Sequence, residues 1–231
     1  MLGTPLEAVV LAGGMGTRLR SMVSEIPKPM APVAGKPFLE SVLRWLVGCG
    51  VQKAVLSVGY KWEVIRDHFG MVFEGMEIRY AVEEVPLGTG GAVALAMRET
   101  VSQQILVVNG DTIFPIDVSR LIALQAGRGT GATLALKPMT NFDRYGTVEL
   151  KDGRIEAFLE KSHRDQGLIN GGIYAMDRNF LSDRGLPARF SLEQDVLEKE
   201  SGSGRLYGEV FDAPFLDIGI PEDYLRAEQF L

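Results

Sequence analysis

Along this chain, short runs of apolar and β-branched residues alternate with longer stretches whose apolar positions recur every three or four residues. The runs at 8–12, 54–58 and 105–108 are almost free of polar interruptions, as expected of strands buried on both faces of a parallel sheet. Between the first two, Phe38, Val42, Trp45 and Leu46 share one helical face, which predicts a crossover helix packed on that sheet. A shorter helix is expected over 61–69, with Trp62, Ile65 and Phe69 on one side, and another over 91–97, where good helix formers dominate. Strand–helix alternation of this kind points to a sheet flanked by helices.

The pattern changes after about residue 132. Short, half-alternating strands are expected at 133–137, 146–150 and 154–160, with Asp152-Gly153 as a tight hairpin turn between the last two. A further strand at 168–176 is interrupted by Gly171-Gly172, where either a bulge or a closely approaching ligand would account for the missing side chains. Residues 221–230 read as a closing helix, with Pro221 at its start and Glu222-Asp223 in its first turn. With no fixed-period repeat and no Ser/Gly-rich linker, the simplest organisation is a single α/β domain over 1–231. Its central sheet is expected to be mixed but mostly parallel, with a β-rich second half at 132–231 following a helix-rich first half at 1–131.

Composition narrows the function classes. The 231 residues are 46% hydrophobic and 23% charged, ordinary for a globular protein. A net charge of -6 argues against a broad nucleic-acid surface, which needs a basic excess. No run approaches the roughly 20 apolar residues of a membrane span, and the N-terminus lacks the pattern of a signal peptide. Cys49 is the only cysteine; it fits a reducing compartment and is expected in the core. The expected location is the cytoplasm, with neither nucleic acid nor membrane as a partner.

The candidate chemistry begins at Leu11-Ala12-Gly13-Gly14-Met15-Gly16-Thr17-Arg18. A glycine-rich loop leaving a strand lets backbone N–H groups close on an anion. The dinucleotide pattern G-x-G-x-x-G fails because its third glycine falls on Leu19, and G-x-x-x-x-G-K-[ST] fits nowhere. Instead Arg18, with Lys28 ten positions on, supplies two cations suited to a triphosphate. The plainer reading, a tight turn beside a surface arginine, stays open at this point. Asp111 ends the apolar strand Ile105–Val108 through Asn109-Gly110, at the carboxyl edge where ligands bind in open α/β sheets. Asp217 is a second acid, after Phe215-Leu216. Each is equally compatible with a turn-forming role. His68 and His163 lie in charged or helical surroundings and are expected at the surface.

The series Leu11–Leu19, Pro27-Lys28-Pro29-Met30-Ala31-Pro32-Val33, Glu83-Glu84-Val85-Pro86-Leu87-Gly88-Thr89-Gly90-Gly91, Asn109-Gly110-Asp111 and Leu216-Asp217-Ile218-Gly219 resembles, in order and over nearly the whole chain, the sugar-1-phosphate nucleotidylyltransferases. The resemblance implies a Rossmann-like nucleotidyltransferase fold whose first half binds the nucleotide and whose second half binds the sugar phosphate. Residues 142–147 and 167–174, with the short length, resemble most the members that pair GTP with a heptose 1-phosphate for surface-polysaccharide precursors. Mannose 1-phosphate is the nearest rival, and UTP, CTP or dTTP the alternative nucleotides.

The resemblance further implies that Asp111 and Asp217, 106 positions apart, share one Mg²⁺. It assigns Leu11, Ala12, Gly13, Gly14, Gly16, Thr17, Arg18, Pro86, Gly88, Thr89, Asn109 and Gly110 to the nucleotide. Glu83 or Glu84 faces the guanine edge, whose ring N–H and amino group suit a carboxylate, unless the two are simply solvated acids at a strand end. Arg18 holds the β- and γ-phosphates, Lys28 the α-phosphate region and Lys161 the incoming sugar phosphate. Tyr145, Gly146, Glu160, Lys161, Asn170 and Gly171 hold the sugar, with bare backbone at 146 and 171 admitting the ring. No general base is needed, because the nucleophile is already an anion.

Ile220 stands where many relatives carry threonine, removing a hydroxyl near the metal. With the sequence ending at Leu231, the β-helical extension of longer relatives is not expected. Apolar residues at 211–215 are expected to offer a homodimer contact. Two other classes remain open. A nucleotide-sugar sensor is disfavoured by intact Arg18, Lys28, Asp111 and Asp217, and a glycosyltransferase by the absence of Asp-x-Asp after a strand.

Overall fold

The computed structural model describes residues 5–14, 26–129 and 131–230. Strands β1 (Glu7–Leu11), β4 (Lys53–Val58), β6 (Met76–Val82) and β7 (Gln104–Asn109) run parallel in the order β7-β1-β4-β6. They form the heart of a ten-stranded mixed sheet, edged beyond β6 by the short antiparallel β5 (Val72–Phe73); β2 (Pro32–Val33) and β3 (Lys36–Pro37) pair apart from it, and α5 is a single turn at Glu198–Glu200. Within β1, Ala8 and Val10 join one hydrophobic cluster while Val9 joins the other. Val55 of β4 and Val107 of β7 likewise face away from Leu56 and Leu106. Both sheet faces are therefore dry, which is why these strands read as continuous apolar runs. Helix α1 (Phe38–Gly48) buries Phe38, Leu39, Val42, Leu43 and Leu46 on the first face. Helix α2 (Trp62–Phe69) buries Ile65 and Phe69, while α3 (Gly88–Met97) covers the second face through Val93, Ala96 and Met97. Helix α4 (Val118–Arg128), capped by the Asp117 carboxylate accepting from Arg120 N–H, had no expectation in the sequence pattern.

The parallel pairings are concentrated in the first half. Beyond β7 the sheet continues through β12 (Arg164–Asp177) and β9 (Ala132–Phe142), both in antiparallel pairings, then β13 (Leu206–Val210), parallel to β9. It ends in the hairpin β10 (Thr147–Lys151) and β11 (Arg154–Leu159). That hairpin turns at Asp152 (φ 50°) and Gly153 (φ 76°), both left-handed as a two-residue type I′ turn requires. In β12 the Gly171-Gly172 interruption is a bulge: the register with β9 shifts between Asn170 and Tyr174, with Gly172 at φ 73°. Helix α6 (Pro221–Phe230) closes the chain as expected.

Two expectations are corrected. Cys49 is half-buried rather than core: it caps α1, its N–H donating to the Trp45 carbonyl at 3.0 Å, and the cap position keeps part of it at the surface. The 211–215 stretch is not an exposed apolar patch. Phe211 is buried, and the Phe215 ring packs edge-on against Phe114 and Tyr145 at 5.6 and 6.0 Å.

Candidate active site

The carboxyl ends of the four parallel strands meet at one edge of the sheet, and a cavity of about 590 Å³ opens there. Its walls include Leu11 at the end of β1, Gly59 just beyond β4, Glu83 just beyond β6, Asn109 at the end of β7 and Asp111 just beyond it. Of the residues expected at a nucleotide, Leu11, Gly13, Gly14, Lys28, Glu83, Glu84, Pro86, Gly88, Thr89, Asn109 and Asp111 all line this cavity. Ala12 is buried and Gly110 packs behind, its N–H donating to the Leu11 carbonyl at 2.9 Å. Gly16, Thr17 and Arg18 lie outside the described residues.

The glycine loop is bare for two different reasons. A Cβ on Gly13 would stand 2.6 Å from Glu83 Oε1 and 3.3 Å from the Val58 carbonyl carbon, whereas one on Gly14 would meet nothing within 4 Å among the described residues. Gly13 thus makes room for the protein's own carboxylate, and Gly14 lines the cavity. Glu83 is held in place: its Oε2 accepts from Leu87 N–H at 2.9 Å and its Oε1 from Ser57 Oγ at 3.3 Å. Glu84 is exposed on the rim.

Lys28 begins a tight 3-10 turn (Lys28–Met30) whose Pro29 and Met30 are buried. Its ammonium donates to Asp111 Oδ2. Asp217 arrives from the far end of the chain through a two-residue ladder: β14 (Leu216–Asp217) pairs antiparallel with β8 (Thr112–Ile113), setting Asp217 opposite Thr112. The Ile218 N–H donates to the Asp111 carbonyl at 3.0 Å, so the two acids are neighbours. Burial, and next the Asp111 charge beside it, push the Asp217 carboxyl above the usual carboxylate range; Lys28 and the Gly219 N–H, 2.7 Å from Oδ1, act against that rise. Two crowded carboxylates offset by one ammonium fit a hard divalent cation, which takes one or two protein carboxylates and completes its shell with phosphate oxygens and water.

Asp217 also borders a second cavity of about 520 Å³, walled by the 139–145 segment, Phe215, Leu216 and two residues of α6. The carboxylate pair therefore stands between two cavities. Of the expected sugar residues, Tyr145 lines this second cavity and Gly146, Glu160, Lys161, Asn170 and Gly171 do not. Thr147 at the start of β10 pairs with Leu159 of β11 and Ile169 of β12, so Tyr145-Gly146 just before β10 and Glu160-Lys161 just after β11 flank pairings that also reach the middle of β12, where Asn170-Gly171 lie. Tyr145 lines the cavity, and burial followed by the Asp217 charge pushes its hydroxyl up to about 12, so it stays a donor near neutrality. Glu160 and Lys161 are exposed. Asn170 is engaged within the bulge, accepting from Gly172 N–H at 3.0 Å and donating to the Tyr174 hydroxyl at 2.9 Å.

The bare backbone expected to admit the ring at 146 and 171 is instead packed against protein. A Cβ on Gly171 would meet the Phe114 ring at 2.5 Å and the Ala135 carbonyl oxygen at 2.9 Å, and one on Gly146 the Leu159 carbonyl oxygen at 2.7 Å. On the side where the side chain is missing, the space is already filled by protein.

Sequence reasoning missed Tyr60 and Glu193, which also line the first cavity. Glu193 belongs to a π-helical turn (Leu192–Leu197) and accepts from Thr89 Oγ1 at 2.6 Å and Ser191 Oγ at 3.0 Å. It brings a carboxylate to the N-terminal end of α3, where an anionic ligand would otherwise be favoured. No linear motif signals it, because its partner Thr89 is 104 positions away.

A family model described as nucleotidyl transferase matches residues 7–231. The D-glycero-alpha-D-manno-heptose 1-phosphate guanylyltransferase of Aneurinibacillus thermoaerophilus is 46% identical over 226 residues, 98% of either chain. The mannose-1-phosphate guanylyltransferase of Mycobacterium tuberculosis is 35% identical over 96% of this chain and 63% of its own. Among solved structures, HddC from Yersinia pseudotuberculosis complexed with GMP-PN superposes with a TM-score of 0.86 at 34% identity, covering 97% of this chain and 99% of the other.

Proposed function

The chain belongs to the nucleotidyl transferase family, and on that premise we propose that it transfers the GMP moiety of GTP to D-glycero-α-D-manno-heptose 1-phosphate, giving GDP-heptose and pyrophosphate. The observation that carries this reading is the 46% identity, end to end, with a heptose 1-phosphate guanylyltransferase. The two cavities meeting at Asp111 and Asp217 support it, since the reaction brings two anionic substrates together at one phosphorus.

In the proposed reaction an oxygen of the sugar phosphate attacks the α-phosphorus of GTP, and the bond from that phosphorus to the α,β-bridging oxygen breaks. Pyrophosphate leaves with the bonding pair. No proton need be removed from the nucleophile, so the protein's task is alignment and neutralisation. Lys28, already beside Asp111, faces the α-phosphate, and Arg18 holds the departing β- and γ-phosphates. Lys161, opposite Tyr145-Gly146, meets the incoming phosphate. Asp111 and Asp217 would hold Mg²⁺, which supplies charge neutralisation at the transferring phosphoryl group. The Glu83 carboxylate, fixed by Leu87 N–H and Ser57, or Glu84 beside it accepts from the guanine ring N–H and amino group.

Pyrophosphate release measured over four nucleoside triphosphates and several sugar 1-phosphates tests the reading. Release with GTP and heptose 1-phosphate above all other pairs is expected. Preference for mannose 1-phosphate or another nucleotide would reassign the substrate, and no release with any pair would favour a sensor.

A further inference from the structure

The second cavity contains more polar groups than holding the sugar ring and its phosphate requires. In its wall Asp217, one of the carboxylate pair, and Tyr145 are half-buried, while Arg144 and Arg226 are exposed at its rim and both approach Asp223. Arg144 Nη1 donates to Asp223 Oδ2 at 2.7 Å, with the Asp223 side chain only 13% exposed and that of Arg144 39%. Arg226 Nη1 stands 3.7 Å from the other Asp223 oxygen. Acids and guanidiniums are interleaved at this rim, which therefore has no excess of positive charge to hold the phosphate. Its donors and acceptors instead suit the neutral, hydroxyl-bearing part of a sugar.

A sugar 1-phosphate reacting at the carboxylate pair must point its phosphate, and hence C1, toward Asp217. The substituent on C5 then extends to the opposite side of the ring oxygen. In a hexose this substituent is one hydroxymethyl group. In a heptose it is two carbons bearing vicinal hydroxyls, and a vicinal diol can donate to one carboxylate while accepting from one guanidinium.

Resting on the guanylyltransferase reading above, we propose that the outer half of the second cavity receives the exocyclic carbons of the sugar, and that the Arg144–Asp223 pair reads the vicinal diol that a heptose carries there and a hexose lacks. Arg144 and Asp223 are then specificity residues, with no part in the chemistry at phosphorus. Arg144 follows the end of β9 and Asp223 lies in the first turn of α6, so the pair also fastens two segments together. Any test must separate that fastening from recognition.

The experiment compares kcat/KM for D-glycero-α-D-manno-heptose 1-phosphate and α-mannose 1-phosphate, with saturating GTP and Mg²⁺, in the wild-type chain, Arg144→Met and Asp223→Asn. The wild-type chain is expected to favour the heptose. Each variant should lower the heptose-to-mannose ratio by about tenfold, the effect of losing one well-made hydrogen bond to a charged group. Mannose turnover in the same preparation reports that the variant is folded. Equal loss on both sugars, which a purely structural pair would produce, overturns the proposal, as does a wild-type chain that does not discriminate. If the wild-type chain releases no pyrophosphate with either sugar, the guanylyltransferase reading itself falls and takes this assignment with it.

Discussion

Lys28 and Asp111, 83 positions apart, form an ion pair in the wall of the first cavity, and this ammonium, with the Gly219 N–H and Arg144, offsets the crowding of Asp111 against Asp217. Removing it as Lys28→Met should leave the acids repelling each other. The melting temperature without metal is expected to fall, and the rise produced by saturating Mg²⁺ to exceed that of the wild-type chain. Equal rises measured by calorimetry would contradict this account of the pair.

Asp111→Asn keeps the side-chain volume and removes the charge. Turnover is expected to drop by at least about 10³-fold, with an unchanged far-ultraviolet circular dichroism spectrum. Metal-dependent activity surviving in this variant would dismiss Asp111 as a ligand.

Glu83→Gln and Glu84→Gln bear on the base. An amide presents one acceptor and one donor where guanine needs two acceptors, so the variant at the reading position should lose about tenfold in kcat/KM for GTP relative to UTP and dTTP. The fixed hydrogen bonds of Glu83 favour it as the reader, because its carboxylate is already aimed. Unchanged base preference in both variants would remove the pair from recognition.

Glu7 is a carboxylate only 1% exposed at the start of β1, accepting from the Val101 and Ser102 N–H groups at 2.7 and 2.6 Å and lying 3.2 Å from Lys53. Burial alone would raise it, but the Ser102 and Val101 amides and Lys53 outweigh burial and hold it below the usual carboxylate range. Because the folded value is the lower one, its stabilisation is present above the ordinary carboxylate range and lost as pH falls through the folded value. Glu7→Gln should cost about 2 kcal/mol near neutrality, a difference that shrinks toward zero in acid. Urea titrations of both chains across pH would show it, and a difference independent of pH would refute it.

Gly171→Ala is expected to destabilise by about 2 kcal/mol, because its Cβ would press on the Phe114 ring and a strand carbonyl. Equal stability in thermal melts would show that the bulge yields more easily than its packing suggests.

What could be read from the sequence follows from where each element finds its partners. Strands β1, β4 and β7 are legible because both of their faces are buried, so their inner positions are almost all apolar. β6 is not, since Glu77 and Arg79 alternate with Ile78 and Tyr80 near the sheet's edge and blur the period. β13 carries Gly208 and Glu209 and is defined by its pairing with β9, some 70 positions earlier. The same division holds at the site. Gly14, Lys28 and Asp111 belong to short runs whose chemistry is local. The reason for Gly13 lies in Glu83, that for Gly171 in Phe114, and Glu193 is defined by Thr89. Each of these contacts exists only once distant segments have met.

The short ladder between β8 and β14 has a consequence for synthesis. Every residue lining the first cavity except Glu193 lies at or before Asp111, whereas Asp217 is supplied 106 positions later. The acid pair is thus complete only once residue 217 has been made. On the proposed function, a fragment ending before residue 216 is expected to bind nucleotide without turning it over.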